Sequence, residues 1–138
     1  MRNPRSVHVY SQPQYRTADQ LRRKGFSLSV LHTDSLDGRR VYVVGAARGD
    51  STTNQIWVDA ERLLFVRALI TQSGRTRDIR FERYTQYDPG WVAEEVRVIV
   101  AGRMAFHEEY SHVRVNPSLD DNLFIPERWS TATHWYHP

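Results

Sequence analysis

The chain has 138 residues, a length typical of one domain, and its 40% hydrophobic and 25% charged residues are ordinary for a folded protein. The absence of cysteine excludes disulfide frameworks, thiolate metal sites and cysteine nucleophiles. The net charge is +3, but acidic residues are interspersed among the arginines, as in 75–83. That mixture indicates an ion-paired surface, and we expect no nucleic-acid partner.

No apolar run approaches the ~18 residues that a transmembrane helix needs, so no membrane span is predicted. The N-terminus is basic but lacks the apolar block of a signal peptide. We therefore expect either a protein that is not exported or one whose export signal precedes Met1.

The N-terminal quarter predicts one short helix. Residues 1–16 are expected to form an arm with an edge strand at Val7–Tyr10. Thr17 and Gln20 have the spacing of a capping box, and Gly25 follows a basic run. These signals predict a helix over 17–25.

From residue 26 to residue 115 the apolar residues recur with a period of two between turn signals, which predicts seven or eight antiparallel strands. The period begins at Phe26, and turns are predicted at Asp34–Gly38 and at 72–75. A last strand is expected over Met104–Val115. The tail, 116–138, is expected to pack back through Leu123–Ile125. The sequence therefore predicts a single, mainly β domain over 1–138, built as a curved antiparallel meander.

Motifs that could carry chemistry are weak. His107-Glu108-Glu109-Tyr110-Ser111-His112 has its second histidine one place too late for a zinc helix, and it lies in a predicted strand. The glycine-containing segment 45–51 lacks the Lys-Ser/Thr ending of a phosphate loop and is interpreted as a long hairpin loop. Arg48-Gly49-Asp50 matches an adhesion tripeptide that recurs often by chance. We predict no catalytic residue, no metal and no cofactor.

The apolar strand faces are candidates for a core, and for a ligand-binding surface if the sheet encloses a cavity. The residues predicted to line such a ligand are Phe26, Leu28, Val30, Ile56, Val58, Leu64, Val66, Val96, Val98 and Val100.

Three hairpin segments, Val41–Gly45, Asn54–Asp59 and Leu63–Arg67, resemble the lipoprotein-carrier superfamily, the outer-membrane lipoprotein-sorting proteins and their relatives. A closing pattern also matches, at Asn116, Leu119, Asp120 or Asp121, and Phe124. The resemblance covers residues 26–126. It implies an incomplete, half-open β-barrel with an apolar concave face, a lipid or lipoprotein acyl chain as ligand, no catalytic residues, and a location in the bacterial periplasm or cell envelope.

This chain is shorter than members of that superfamily usually are, so its apolar face is expected to be left uncovered. Self-association as a homodimer, or a missing partner chain, is therefore predicted. The leading hypothesis is a non-enzymatic carrier of an apolar ligand, and the alternative is an assembly module whose apolar face is closed by a second chain. An enzyme ranks third, because it would need a cluster of His8, His32, His107 and His112 with carboxylates.

Overall fold

The structure, a computed structural model, describes residues 13–88 and 90–134; the predicted edge strand at Val7–Tyr10 lies outside them. Within the described residues the chain forms a helix, seven strands and two short 3-10 helices. The elements are α1 (Gln14–Arg23), β1 (Leu31–Leu36), β2 (Arg39–Val44), β3 (Gln55–Asp59), β4 (Phe65–Gln72), β5 (Arg75–Tyr87), β6 (Gly90–Val100), β7 (Arg103–Glu109) and the 3-10 helices Asp121–Phe124 and Pro126–Thr131.

All seven strands form one sheet, in which every strand pairs antiparallel with its neighbour in sequence. Strands β1 and β7 are its two edges, so the sheet is not closed into a barrel. This confirms the predicted fold class, a mainly β antiparallel meander that stays open, with one short N-terminal helix.

Helix α1 occupies residues 14–23 instead of the predicted 17–25, because it starts directly after Pro13 without a side-chain cap. Thr17 is therefore inside the helix. The predicted end is correct in kind: Gly25 has φ +83°, and the N–H groups of Gly25 and Phe26 donate to the carbonyls of Arg22 and Leu21. This is the Schellman arrangement. No described helix is long and apolar enough to cross a membrane.

The sheet starts later than predicted. Residues 26–30 are not a strand, because Val30 N–H donates to the Ser27 carbonyl at 3.3 Å and closes a turn. Strand β1 then continues through the first part of the predicted turn and ends in a two-residue reversal at Asp37 and Gly38. Both have positive φ, +50° and +78°, as a tight hairpin with right-handed strand twist requires.

The last strand is shorter than the predicted Met104–Val115 and ends at Glu109. His112 and Asn116, with φ values of +53° and +52°, have left the extended conformation. Further along, the two 3-10 helices pack on each other. Phe124, one of the residues expected to anchor the tail, is 72% exposed.

Candidate functional site

The strand registers divide the side chains of the sheet into two faces, because successive residues of a strand point to opposite sides. One face carries a row of directly opposed apolar residues that crosses all seven strands. We call this the apolar face. Its central row is Leu31, Val44, Ile56, Ala68, Ile79, Val98 and Phe106.

The other side, the polar face, has an adjacent row of different chemistry. It begins at His32 and Val43 and continues through Trp57 into three neighbouring arginines and a histidine. The full row is His32, Val43, Trp57, Arg67, Arg80, Arg97 and His107.

Five of the ten residues predicted to line a ligand belong to the apolar face: Ile56, Val58, Val96, Val98 and Val100. The other five do not join them. Phe26, Leu28 and Val30 precede the sheet, and Leu64 precedes β4. Val66 is the unpaired residue of a bulge where β3 pairs with β4.

The apolar face is open. Of the strand residues described as buried, Val41, Val43, Gln55, Asp59 and Leu69, none belongs to it. Phe106 at the end of the apolar row is 51% exposed. Among the described residues, neither α1 nor the 3-10 helices approach the backbone of any strand closely.

The sheet curves towards the polar face. One cavity of about 400 Å³ is lined both by Leu36 and Asp37, at the β1–β2 turn, and by Arg80, Glu82 and Tyr84 of β5. These segments lie three to four strands apart, so only curvature brings them together. The five apolar-face residues therefore lie on the convex side, whereas the resemblance implies an apolar concave side.

The charges on the polar face are paired. Three arginines side by side would repel one another, but carboxylates stand between them. Arg67 donates to both oxygens of Asp78, with Nε–Oδ1 and Nη2–Oδ2 distances of 2.8 Å, and Arg80 Nη2 lies 3.2 Å from Oδ2. Arg97 donates to Glu82 in the same two-pronged way. The ion-paired surface predicted for 75–83 is confirmed here.

These pairs shift the titration of the groups involved. Burial alone would raise the pKa of Asp78, but the hydrogen bonds from Arg67 and Arg80 outweigh it and hold that pKa below its ordinary value. The hydrogen bonds with Glu82 raise the pKa of Arg97, and the more distant Asp37 carboxylate adds to the effect. Arg97 lies on β6 and Asp37 follows β1, which is a second sign of curvature.

One cluster on the polar face has the composition of a metal site. Ligand atoms of Glu95, His107 and Glu109 all lie within 4.8 Å of one another. A guanidinium already occupies this position: Arg83 Nε lies 3.1 Å from Glu95 Oε2, and Arg83 Nη2 lies 2.9 Å from Glu109 Oε1. Arg83 reaches them with a left-handed backbone, φ +49°. The cluster is best described as an ion-pair network.

The histidines considered for an enzyme lie apart in the sheet order. His32 is on β1, with Nε2 3.8 Å from Asp34 Oδ2, and His107 is on β7, with Nε2 2.9 Å from Glu95 Oε1. His112 follows β7, and His8 lies outside the described residues. His32 and His107 therefore each lie near a separate carboxylate, on the two opposite edge strands of the sheet.

The adhesion tripeptide lies in the β2–β3 loop, where the interpretation of 45–51 as a hairpin loop is confirmed. Both of its charged groups bind within the molecule. Arg48 Nη2 donates to the Thr33 carbonyl, and Asp50 accepts from the backbone N–H groups of Thr52 and Thr53. These contacts give the tripeptide a role in shaping the loop.

Residue patterns missed five members of the apolar row: Leu31, Val44, Ala68, Ile79 and Phe106. Ile79 and Phe106 lie in segments that the sequence predicts as strands. Their alternation with charged neighbours could have assigned them to an apolar face. Their alignment with the valines of β6 depends on the pairing register, which one strand alone does not reveal.

No protein family, curated protein or solved structure matches this chain.

Proposed function

We propose that this domain is a non-enzymatic interaction domain whose apolar face is closed by a second polypeptide chain. One observation carries the proposal: an apolar row crosses all seven strands, and none of its members is buried, the five central ones being half-buried and the two at the ends exposed. An antiparallel sheet usually packs its apolar face inward and exposes its polar face. Here no member of the apolar row is buried, as expected of a sheet whose covering layer is another molecule.

The size of the apolar row supports a binding role. Burying an exposed Val, Leu, Ile or Phe side chain contributes about 1.5–3 kcal/mol, and roughly half of that remains for a side chain that is already half covered. The six such residues of the row would contribute about 5–9 kcal/mol, which is of the same order as the ~4–15 kcal/mol cost of association. The row therefore makes covering favourable only together with further contacts, which a folded partner offers more readily than a small ligand.

The curvature favours a polypeptide over a single acyl chain. Ligand pockets bury most of the surface of a small ligand, whereas a chain lying on a convex sheet would be covered from one side only. The resemblance to lipoprotein carriers supports a second candidate function, the binding of a lipid or lipoprotein acyl chain on this face in the periplasm.

A photo-crosslinking amino acid in place of Val98 tests the proposal and separates the two candidates. Val98 lies in the centre of the apolar row, and Val115, outside the sheet and 38% exposed, is the matched control position. We expect irradiation in the native cells to give a protein-sized adduct from position 98 and little from position 115.

Native mass spectrometry of the purified protein, before and after organic extraction, completes the test. A lipid-sized mass that is lost on extraction, with a lipid adduct at position 98, would replace the leading proposal by the second candidate. Equal crosslinking from positions 98 and 115 would contradict both candidate functions, because it would show that no molecule binds specifically to the apolar face.

A further inference from the structure

We propose that β7 is a self-association edge, along which β7 of one copy pairs antiparallel with β7 of a second copy. The proposal concerns the edge of the sheet, whereas the proposed function concerns its apolar face. It depends on three observations: the free backbone groups of β7, the blocked groups of β1, and the charge order along β7.

The hydrogen-bonding pattern shows which backbone groups of β7 point away from the sheet. Tyr110 N–H donates to the Glu94 carbonyl at 2.9 Å, so this directly opposed pair bonds inward. Bonded and non-bonded pairs alternate in an antiparallel ladder. The next pair, Glu109 with Glu95, is therefore non-bonded, and so is the pair two residues further on, His107 with Arg97. The N–H and C=O groups of Glu109 and His107 therefore point outward, and within the described residues no backbone hydrogen bond reaches them.

The opposite edge is blocked at two points. Gly45 N–H donates to the Val30 carbonyl at 2.9 Å, so the same alternation makes Leu31, Thr33 and Ser35 the outward-facing residues of β1. The Thr33 carbonyl accepts from the guanidinium of Arg48, and Ser35 N–H donates to Asp34 Oδ1 at 2.8 Å. Side chains thus bind one outward backbone group of Thr33 and one of Ser35. An open edge such as that of β7 is a template for another strand.

The charge order along β7 selects a second copy as the partner. The strand starts with a cation, Arg103, and ends with two anions, Glu108 and Glu109. Two such strands in antiparallel pairing place the basic start of each beside the acidic end of the other, whereas parallel pairing would align like charges. Ala105 is the extra residue of a bulge where β7 pairs with β6, so the register centred on Phe106 places Arg103 opposite Glu108 of the second copy, on the same face of the sheet.

An apolar contact fits the same register. Phe106 on this edge is 51% exposed. Phe106 ends the apolar row, so pairing at β7 brings the two Phe106 side chains together and joins the rows of both copies into one surface. The backbone N–H and C=O groups of Phe106 point inward to β6. The two Phe106 residues of the dimer would therefore form a non-bonded pair, with Cα atoms about 4.5 Å apart.

Because the chain has no cysteine, single-cysteine variants test this geometry directly. A Cα separation of about 4.5 Å lies within the range that a disulfide spans. We expect Phe106→Cys to give a covalent dimer under mild oxidation, and Ser35→Cys on the blocked edge to remain monomeric. Crosslinking of both variants to the same extent would overturn the proposal.

Sedimentation equilibrium of charge variants provides a second readout that needs no cysteine. Arg103→Glu places like charges along the shared edge, and we expect it to raise the dimer dissociation constant at least tenfold. The matched control, Arg75→Glu, also follows a glycine turn but lies on an internal strand, and it should leave the constant unchanged. A wild-type protein that is monomeric up to high micromolar concentration would contradict the proposal. So would a dimer whose dissociation constant does not change on Arg103→Glu.

The two proposals fail separately. Replacing Val96, Val98 and Val100 by threonine makes the apolar face more polar but leaves the β7 backbone and its charges in place. We expect this variant to retain the β7 dimer. Its dissociation into monomers would show that the apolar face, not the edge, joins the two copies, and would overturn the β7 proposal alone.

Discussion

The two faces of this sheet differ in how completely their apolar residues are buried. On the polar face Val43 is completely buried, although its row includes three arginines; on the apolar face Val98 is only partly covered, although its row is entirely apolar. Curvature causes the difference, because it folds the polar face in on itself and spreads the apolar face outward. Burial in this molecule is therefore decided by the shape of the sheet more than by the hydrophobicity of its residues.

The largest expected effect on stability is the difference between substitutions at Val43 and at Val98. Val43→Ala removes two methyl groups from a closed site and should reduce the free energy of unfolding by about 2 kcal/mol. Val98→Ala removes the same groups from an open site and should cost less than ~1 kcal/mol. Urea unfolding of both variants measures the difference, and equal losses would mean that both faces are buried.

The ion pairs of the polar face should give the next effect. Asp78→Ala leaves Arg67 and Arg80 without their shared carboxylate in a largely covered site, and we expect a loss of about 1–2 kcal/mol. The control is Asp19→Ala, which removes the exposed partner of Arg22 and should cost at most ~0.5 kcal/mol. If Asp78→Ala is as mild as Asp19→Ala, the polar face is open to water.

Stability should also depend on pH through this face. The backbone N–H of Arg62 is the main cause that lowers the pKa of Asp59, and the pKa of Asp78 is lowered too, both from an ordinary value of 3.8. A carboxyl with a depressed folded pKa contributes stability above the unfolded pKa and loses it as the pH falls through the folded one. The free energy of unfolding should thus fall from about pH 4 downwards, and the fall should be shallower in a variant with both Asp59→Asn and Asp78→Asn.

The smallest stability effect is expected on the apolar face. Threonine is β-branched like valine, so replacing Val96, Val98 and Val100 by threonine should change the free energy of unfolding by less than ~1 kcal/mol in total. Binding of a fluorescent dye that senses apolar surface should nevertheless fall several-fold, and Val115→Thr should leave it unchanged. Strong destabilisation without loss of dye binding would show that the valines are buried.

Much of the fold could be predicted from the sequence, because its signals are local. The alternation of β5 and β6, the glycine turns and the Gly25 helix end all act over a few residues. The start of the sheet was predicted wrongly for a physical reason. Phe26, Leu28 and Val30 alternate like a strand, but the Ser27–Val30 turn takes this segment out of the sheet, and only the Val30 carbonyl still bonds to it, through Gly45 N–H. A period of two shows that a segment can be a strand and does not show that another strand pairs with it.

The candidate site was predictable only in part. The valines of β6 can be recognised as one face from the sequence, but their register with the other six strands cannot. The concave side also could not be inferred from hydrophobicity, because it carries Arg67, Arg80 and Arg97, whose charges are tolerable only beside Asp78 and Glu82. The resemblance to lipid carriers stays a prediction.

The most direct test of the central claim, that the apolar face is open in the isolated domain, is carbene footprinting of the purified protein with mass spectrometry. We expect heavy labelling of Ile79 and Val98 and weak labelling of Val41 and Val43. Protection of Ile79 and Val98 in a lipid-free monomer would contradict this claim, because the chain would then cover its own apolar face.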